Sequence, residues 1–360
     1  MRTLIDFSDV KTGIRRVVRP VVTGRTVYAL GMNWTLDVNQ DRATLLRIDV
    51  ETPGFTRLGT LAFENLPRGD ASLDVMDNRL INPLRRIQMN YLQRDAQIAG
   101  DCYFAPTLGR GILVFPLDGS PPRAIDEGTG LPSNVVQAFA CYDGVLYAWL
   151  GQPEQSAYLV RMKLDGTDLR VIASSRRAVE QTPLDNVTPL QCDFLWPDAP
   201  RQRIVFRLTN SSSNDNLGLW ELDLKSERLR QLQRTRLLLG DEPPKVVPGD
   251  RLLIEDATKI HVFDLKTNEF RPFLEQPISP SKMSRPLTLR GDELWMRVPF
   301  GRIDLRTKRR EEFPKLRDKE YFQPHVGQQV GPEELLLGDT ECLWLLKLKP
   351  VRPSDDSEAK

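Results

Sequence analysis

Seven times along the chain an apolar run leads into an alternating segment, a polar turn and a second short strand, and no fold without a matching structural repeat accommodates that recurrence. Four copies are clear: residues 47–58 (RIDVETPGFTRL), 221–232 (ELDLKSERLRQL), 262–273 (VFDLKTNEFRPF) and 302–313 (RIDLRTKRREEF). Two are looser, 114–125 (VFPLDGSPPRAI) and 161–172 (RMKLDGTDLRVI), and a seventh, 4–17 (LIDFSDVKTGIRRV), stands at the start. Each alternates apolar and polar residues as a half-buried strand does. Each carries turn chemistry that closes a β-hairpin, such as Asp118-Gly119, Pro53-Gly54 or Lys266-Thr267-Asn268. Most copies follow another apolar strand opened by Gly-Asp or Asp-Gly, as in 143–151, 249–256 and 291–298. The unit is therefore an antiparallel meander of about four strands.

The anchoring acids fall near positions 6, 49, 118, 165, 223, 264 and 304. Gaps of roughly 40 to 70 residues suit the blades of a β-propeller better than a β-sandwich, which has no such repeat. The phase of the repeat predicts closure. The chain opens on a hairpin without its preceding strands, and residues 334–350 stop without a last hairpin strand. One blade built from both ends uses both leftovers and pairs the two edges an open ring would expose. The expected fold is all-β: a seven-bladed β-propeller, with six or eight blades as the neighbouring solutions, whose last blade is closed by both termini. It is expected to span residues 1–350 as one domain, with a loop or helical insertion at about 62–99 and a polar, disordered tail at 351–360. Within the insertion, Leu80, Leu84, Ile87 and Tyr91 have roughly helical spacing, and Pro83 favours a helix that starts there.

Composition narrows the function classes. Lys and Arg number 50 against 49 Asp and Glu, a formal net charge of +1, so no global field draws the chain to nucleic acid or an anionic membrane. No run approaches the ~20 apolar residues of a membrane helix. Residues 1–20 lack a signal-peptide apolar stretch and cleavage site, which predicts a cytoplasmic chain, or an extracytoplasmic one if a longer precursor exists. Cys102, Cys141, Cys192 and Cys342 are too widely spaced for a zinc site or a disulfide scaffold and are expected as buried thiols on strands.

One stretch goes beyond generic β pattern. Gly130-Leu131-Pro132-Ser133-Asn134-Val135, followed by Asp143-Gly144-Val145-Leu146-Tyr147, resembles the two-component-regulator propeller repeat. That family has a Gly-Leu-Pro-Ser-Asn segment, an inner strand, and then a Gly-x-Leu-Trp type of strand; here Tyr147 stands where Trp is frequent. The likeness covers about one blade, residues 100–151, while 249–253 and 291–295 resemble the second half only. The Leu-Pro-Ser-Asn segment is not repeated, so the other blades depart from the pattern. The resemblance implies a binding propeller of the kind found in sensor modules.

In a four-stranded meander, the turns between strands one and two and between three and four open on one face. The remaining connections open on the other. The Asp-bearing hairpins are short and uniform, whereas the long connections 31–42, 62–99, 174–190 and 209–216 all belong to the opposite face. Binding residues concentrate on such loops, so the candidates are Trp34, Asp37 and Asn39, then Arg85, Arg86, Asn90 and Tyr91, then Asn214 and Asp215. Taken singly, a residue at any one of these positions more often merely solvates a long loop or caps the ring; the case for binding rests on the face as a whole.

Catalytic signals are sparse. The two histidines, His261 and His325, are far apart and lack metal-ligand spacing. No nucleophile elbow, phosphate loop, dinucleotide fingerprint or calcium loop occurs. His261 lies in an apolar strand and is expected to be packed there. The acids Asp49, Asp223, Asp264 and Asp304 are expected to accept backbone N–H bonds within their turns. Trp149, Trp220, Trp295 and Trp344 are expected between blades. The basic pairs and triplet at 15–16, 85–86, 176–177 and 308–310 are spread over different blades as solvated surface.

The reading is a monomeric, non-enzymatic binding or scaffold propeller without cofactor or metal. Its long-loop face would meet a protein, peptide or carbohydrate-like ligand, with no nucleic acid and no membrane insertion. The alternatives are a glycoside-active hydrolase or lyase with acids at the channel mouth, or a sensor module of a larger signalling protein.

Overall fold

The computed structural model describes residues 1–6, 14, 16–33, 42–52, 54–62, 96–107, 109–151, 157–174, 190–210, 216–233, 244–247, 249–255, 260–273, 286–297, 300–313, 326–338 and 342–348. They form seven four-stranded antiparallel sheets. In chain order the first blade is β2 (Arg16–Thr23), β3 (Thr26–Asn33), β4 (Arg42–Asp49) and β5 (Thr56–Ala62). The second is β6 (Gln97–Ala99), β7 (Cys102–Pro106), β8 (Ile112–Pro116) and β9 (Arg123–Ile125), and the third β10 (Val136–Tyr142), β11 (Val145–Leu150), β12 (Tyr158–Lys163) and β13 (Arg170–Ser174). The fourth comprises β14 (Leu190–Asp198), β15 (Arg203–Asn210), β16 (Asn216–Asp223) and β17 (Leu229–Gln233). The fifth comprises β18 (Lys245–Val247), β19 (Arg251–Glu255), β20 (Ile260–Asp264) and β21 (Phe270–Pro272), and the sixth β22 (Pro286–Arg290), β23 (Glu293–Met296), β24 (Gly301–Asp304) and β25 (Arg310–Glu312).

The seventh blade mixes the two ends of the chain. Its order is β26 (Val326–Gly331), β27 (Glu334–Gly338), β28 (Cys342–Lys347) and then β1 (Arg2–Asp6), which pairs with β28 from Arg2 opposite Leu345 to Asp6 opposite Cys342. The closure expected from the repeat phase is present. One copy of the repeat is corrected: residues 4–17 are not a hairpin. Asp6 ends the outermost strand of the last blade, and Arg16 begins the innermost strand of the first. The Asp within an alternating run mimicked the repeat, but the strand after it pairs inside another sheet.

Packing shows the ring directly. The buried apolar residues among those described fall into seven clusters, each shared by two successive blades. Leu30, Met32 and Leu45 meet Tyr103, Leu113 and Phe115 between the first and second. Leu4, Ile5, Leu336 and Leu343 meet Val17, Val27 and Ile48 between the seventh and the first. The alternation of each strand accounts for this, since successive side chains point to opposite neighbours. The four expected tryptophans work in pairs: Trp149 and Trp220 share the third-to-fourth interface, and Trp295 and Trp344 the sixth-to-seventh. Trp295 also stacks on Phe313, ring centroids 5.6 Å apart.

The expected carboxylate turns are formed. Asp223 accepts from Lys225 N at 3.0 Å and Ser226 N at 2.7 Å, Asp264 from Lys266 N at 2.8 Å and Thr267 N at 3.0 Å, and Asp304 from Arg306 N at 2.9 Å and Thr307 N at 2.8 Å. Asp49 accepts from Glu51 N at 2.8 Å. In the looser copies the carboxylate sits two residues further into the turn, where Asp118 takes Ser120 N and Asp165 takes Thr167 N, both at 2.8 Å. None of the four cysteines is in a disulfide; Cys192 is buried and the other three are half-buried, short of full burial. The candidate helix within 71–98 and the tail 351–360 lie outside the described residues.

Candidate binding face

Two faces follow from the strand order, and one is closed by its own contacts. In six blades a backbone bond ties the residue that follows the third strand to the turn after the first. These are Val50 N to Arg25 O (3.1 Å), Leu117 N to Asp101 O (2.9 Å), Leu224 N to Gln202 O (3.0 Å), Leu265 N to Asp250 O (2.9 Å), Leu305 N to Asp292 O (2.7 Å) and Leu348 N to Glu333 O (2.8 Å). Charged side chains then cross from blade to blade on this short-turn face. Buried Arg203 holds Asp198 at 2.8 Å and Glu221 at 2.7 Å in its own blade, and reaches Asn268 Oδ1 at 2.9 Å and Leu265 O in the next. Arg201 bridges Asp198 at 2.9 Å and Asp250 at 3.0 Å. Arg161 meets Glu227 at 2.9 Å between the third and fourth blades. Arg25 joins Glu51 to Glu334 across the closure, and its guanidinium holds the Glu334 carboxyl below the usual carboxylate range.

The long connections join strand ends on the opposite face. The candidates Trp34, Asp37, Asn39, Arg85, Arg86, Asn90, Tyr91, Asn214 and Asp215 all lie outside the described residues, as does His325. What is described of this face is a brace between the second and third blades. Residues 126–135, the stretch with the regulator-type signature, fold over Thr107 and Gly109–Gly111. Gly109 N and Gly111 N both donate to Asn134 O, at 2.9 and 2.8 Å, and Val136 N donates to Thr107 O at 2.9 Å. The buried Asn134 side chain accepts from Glu127 N at 2.8 Å, and Asn134 N donates back to the Glu127 carboxylate at 3.0 Å. Asp126 caps the 3-10 turn Glu127–Thr129. Gly111 has φ +68°, and a Cβ there would lie 2.1 Å from Ile125 O, so only glycine admits the crossing.

The seven first strands line the channel, and sequence reading missed the device that joins them. Gln137 of β10 accepts from Cys192 N of β14 at 2.7 Å and donates to Gly151 O at 2.7 Å. Gln97 of β6 accepts from Cys141 N of β10 at 2.8 Å. Gln328 of β26 accepts from Val22 N of β2 at 2.9 Å and donates to Pro20 O across the ring closure. Each glutamine satisfies an edge strand whose ladder has no further strand on that side. In the sequence these glutamines stand among apolar inner-strand residues, two of them adjacent in β26, and nothing local names their partners. Arg19, at a bulge with φ 54°, donates to Pro106 O of the second blade, and its own carbonyl accepts from Tyr103 Oη at 2.6 Å. Complete burial pushes the Tyr103 hydroxyl up, away from ionisation.

Among the described residues, the first strands bring few acids to this wall. The first strands contain two acids, Asp193 and Asp198, and Asp198 is bound to Arg201 and Arg203. His261 lies in a third strand, buried and stacked on Phe270 at 4.8 Å, packed as expected. Burial pushes the Cys141 thiol up to about 12, which disfavours a thiolate nucleophile. No group of three or more potential metal ligands occurs among the described residues, and no helix among them is long and apolar enough to cross a membrane.

No family model matches the chain, and no curated protein matches it. Among solved structures, the extracellular domain of BT4673 from B. thetaiotaomicron, named as a one-component system, is 12% identical with TM-score 0.58 over 98% of this chain and 44% of that one. A structure of the BT4673 extracellular domain named as a hybrid two-component system gives 11% identity and TM-score 0.54 over 94% of this chain and 42% of that one. An oligogalacturonate lyase in complex with manganese gives 14% identity and TM-score 0.49 over 91% of this chain and 86% of that one. At these identities the likeness is one of fold. The chain spans less than half of the BT4673 chains it matches.

Proposed function

We propose that this propeller is a non-enzymatic binding or scaffold protein that presents its long-loop face to a protein, peptide or carbohydrate-like ligand. The observation that carries the reading is the asymmetry of the two faces. The short-turn face is committed to carboxylate turns, backbone ties and cross-blade ion pairs, while every connection long enough to shape a recognition surface joins strand ends on the other. A channel wall with two acids in its first strands, one of them already paired with arginines, supports binding over hydrolysis or elimination. The segment 130–135 supports kinship with the two-component-regulator repeat, and with it a role as the ligand-sensing part of a larger protein. Trp34, Asp37 and Asn39, Arg85, Arg86, Asn90 and Tyr91, and Asn214 and Asp215 are the proposed contact residues. No cofactor or nucleic acid enters the reading.

Glycan and peptide arrays probed with two sets of variants test it. Trp34→Ala with Arg85→Ala changes the long-loop face, and Lys225→Ala with Lys266→Ala changes the short-turn face. The first pair is expected to abolish the binding seen with the unaltered protein and the second to leave it intact. Binding that survives the first pair overturns the face assignment. Cleavage of a bound oligosaccharide overturns the non-enzymatic reading.

A further inference from the structure

The closing blade differs from the other six in one respect: its outer strand has no hairpin connection to the strand it covers. β1 lies on β28 through main-chain pairing alone, with Thr3 opposite Trp344 and Asp6 opposite Cys342. It is anchored by buried Leu4 and Ile5, which pack against Leu343 and Leu345, and by Arg2, which donates to Val50 O and to Glu51 O (3.3 Å) of the first blade. Nothing in these contacts requires β1 and β28 to belong to one molecule. A second copy carries the same strand, and nine residues (7–15) separate β1 from β2, up to ~30 Å of chain.

We infer that the outer edge of β28 is a strand-acceptor site whose partner is the β1 strand of a second copy, so that two chains close each other's last blade. The exchange preserves the register, the packing of Leu4 and Ile5 and the Arg2 bonds, with the roles of the two copies swapped. Intramolecular closure has the advantage of a high effective concentration, so the monomer prevails in dilute solution and the exchanged dimer grows with protein concentration.

The pairing of Asp6 with Cys342 supplies the test. Asp6 is exposed, so Asp6→Cys is compatible with folding and places a thiol opposite Cys342. The variant is refolded from denaturant at about 1, 10 and 100 µM and treated with diamide, which takes two electrons and two protons from the thiol pair to form the disulfide. Exchange predicts a covalent dimer on a non-reducing gel, with a dimer-to-monomer ratio rising about tenfold for each tenfold step in concentration, as mass action requires. The dimer should vanish when Cys342→Ser is added. A disulfide confined to monomers at every concentration overturns the inference, as does a covalent dimer that persists without Cys342.

Discussion

Three hairpin turns place a residue in the left-handed region at the same position: Glu227 (φ 54°), Asn268 (φ 58°) and Lys308 (φ 59°). A side chain with a Cβ is disfavoured there by about 1 kcal/mol, and asparagine less so. Lys308→Gly is therefore expected to raise stability by up to ~1 kcal/mol, measured from urea unfolding midpoints. The same exchange at Asn268 should bring no gain, because it removes the oxygen that accepts from Arg203 at 2.9 Å. A destabilised Lys308→Gly protein would contradict the turn geometry. The acids that open these turns give a pH dependence. Backbone donors from Ser226, Thr267 and Thr307 hold the carboxyls of Asp223, Asp264 and Asp304 below their ordinary range. A folded-state value below the unfolded one means that the stabilisation is complete above the unfolded pKa, ~3.9, and is lost as pH falls through the folded values. Urea midpoints measured from pH 6 to pH 3 should drop below about pH 4. Asp264→Asn with Asp304→Asn should flatten that drop, and an unchanged slope would remove these turns as its cause.

Between elements, the inner-strand glutamines act as rungs from one blade to the next. Gln137→Ala leaves Cys192 N and Gly151 O without their partners in a part-buried setting, which is expected to cost about 1–3 kcal/mol. Hydrogen exchange at the Cys192 amide should accelerate more than at amides of β16, which pair within their own sheet. Equal acceleration in both would mean that the rung contributes nothing local. The contrast between rung and turn shows what the sequence made legible. Asp223, Asp264 and Asp304 could be read because a turn carboxylate meets donors two and three residues away. Gln137 could not, because its partner is 55 residues distant and depends on which blade lies alongside. Residues 4–17 misled for a related reason: local pattern shows that a strand exists but leaves open which sheet takes it. The face expected to bind was deduced from connection lengths alone. Individual contact residues were harder to choose, because loops carry no periodicity from which the orientation of Trp34 or Arg85 follows.

At the scale of the molecule, stability is distributed around a closed ring in which every apolar cluster is shared by two blades. Closure makes the last interface depend on two buried side chains from the opposite end of the chain, Leu4 and Ile5. Leu4→Ala should therefore cost about 2–5 kcal/mol, the range for removing a buried leucine side chain. If the ring unfolds as a unit, that loss will not stay in the seventh blade. Trp149 and Trp220, in the third and fourth blades, are remote from β1, whereas Trp344 lies on the strand that β1 covers. Tryptophan fluorescence and far-ultraviolet circular dichroism in the Leu4→Ala protein should shift to lower urea together and remain superimposable. A Trp149→Phe, Trp196→Phe and Trp220→Phe background removes the tryptophans of the third and fourth blades and leaves Trp295 and Trp344 to report the closure, and its midpoint should match that of the full set. An early fluorescence change confined to that background, with the bulk of the β signal unmoved, would show that the seventh blade opens independently. The other blades would then behave as an open array held by nearest-neighbour contacts.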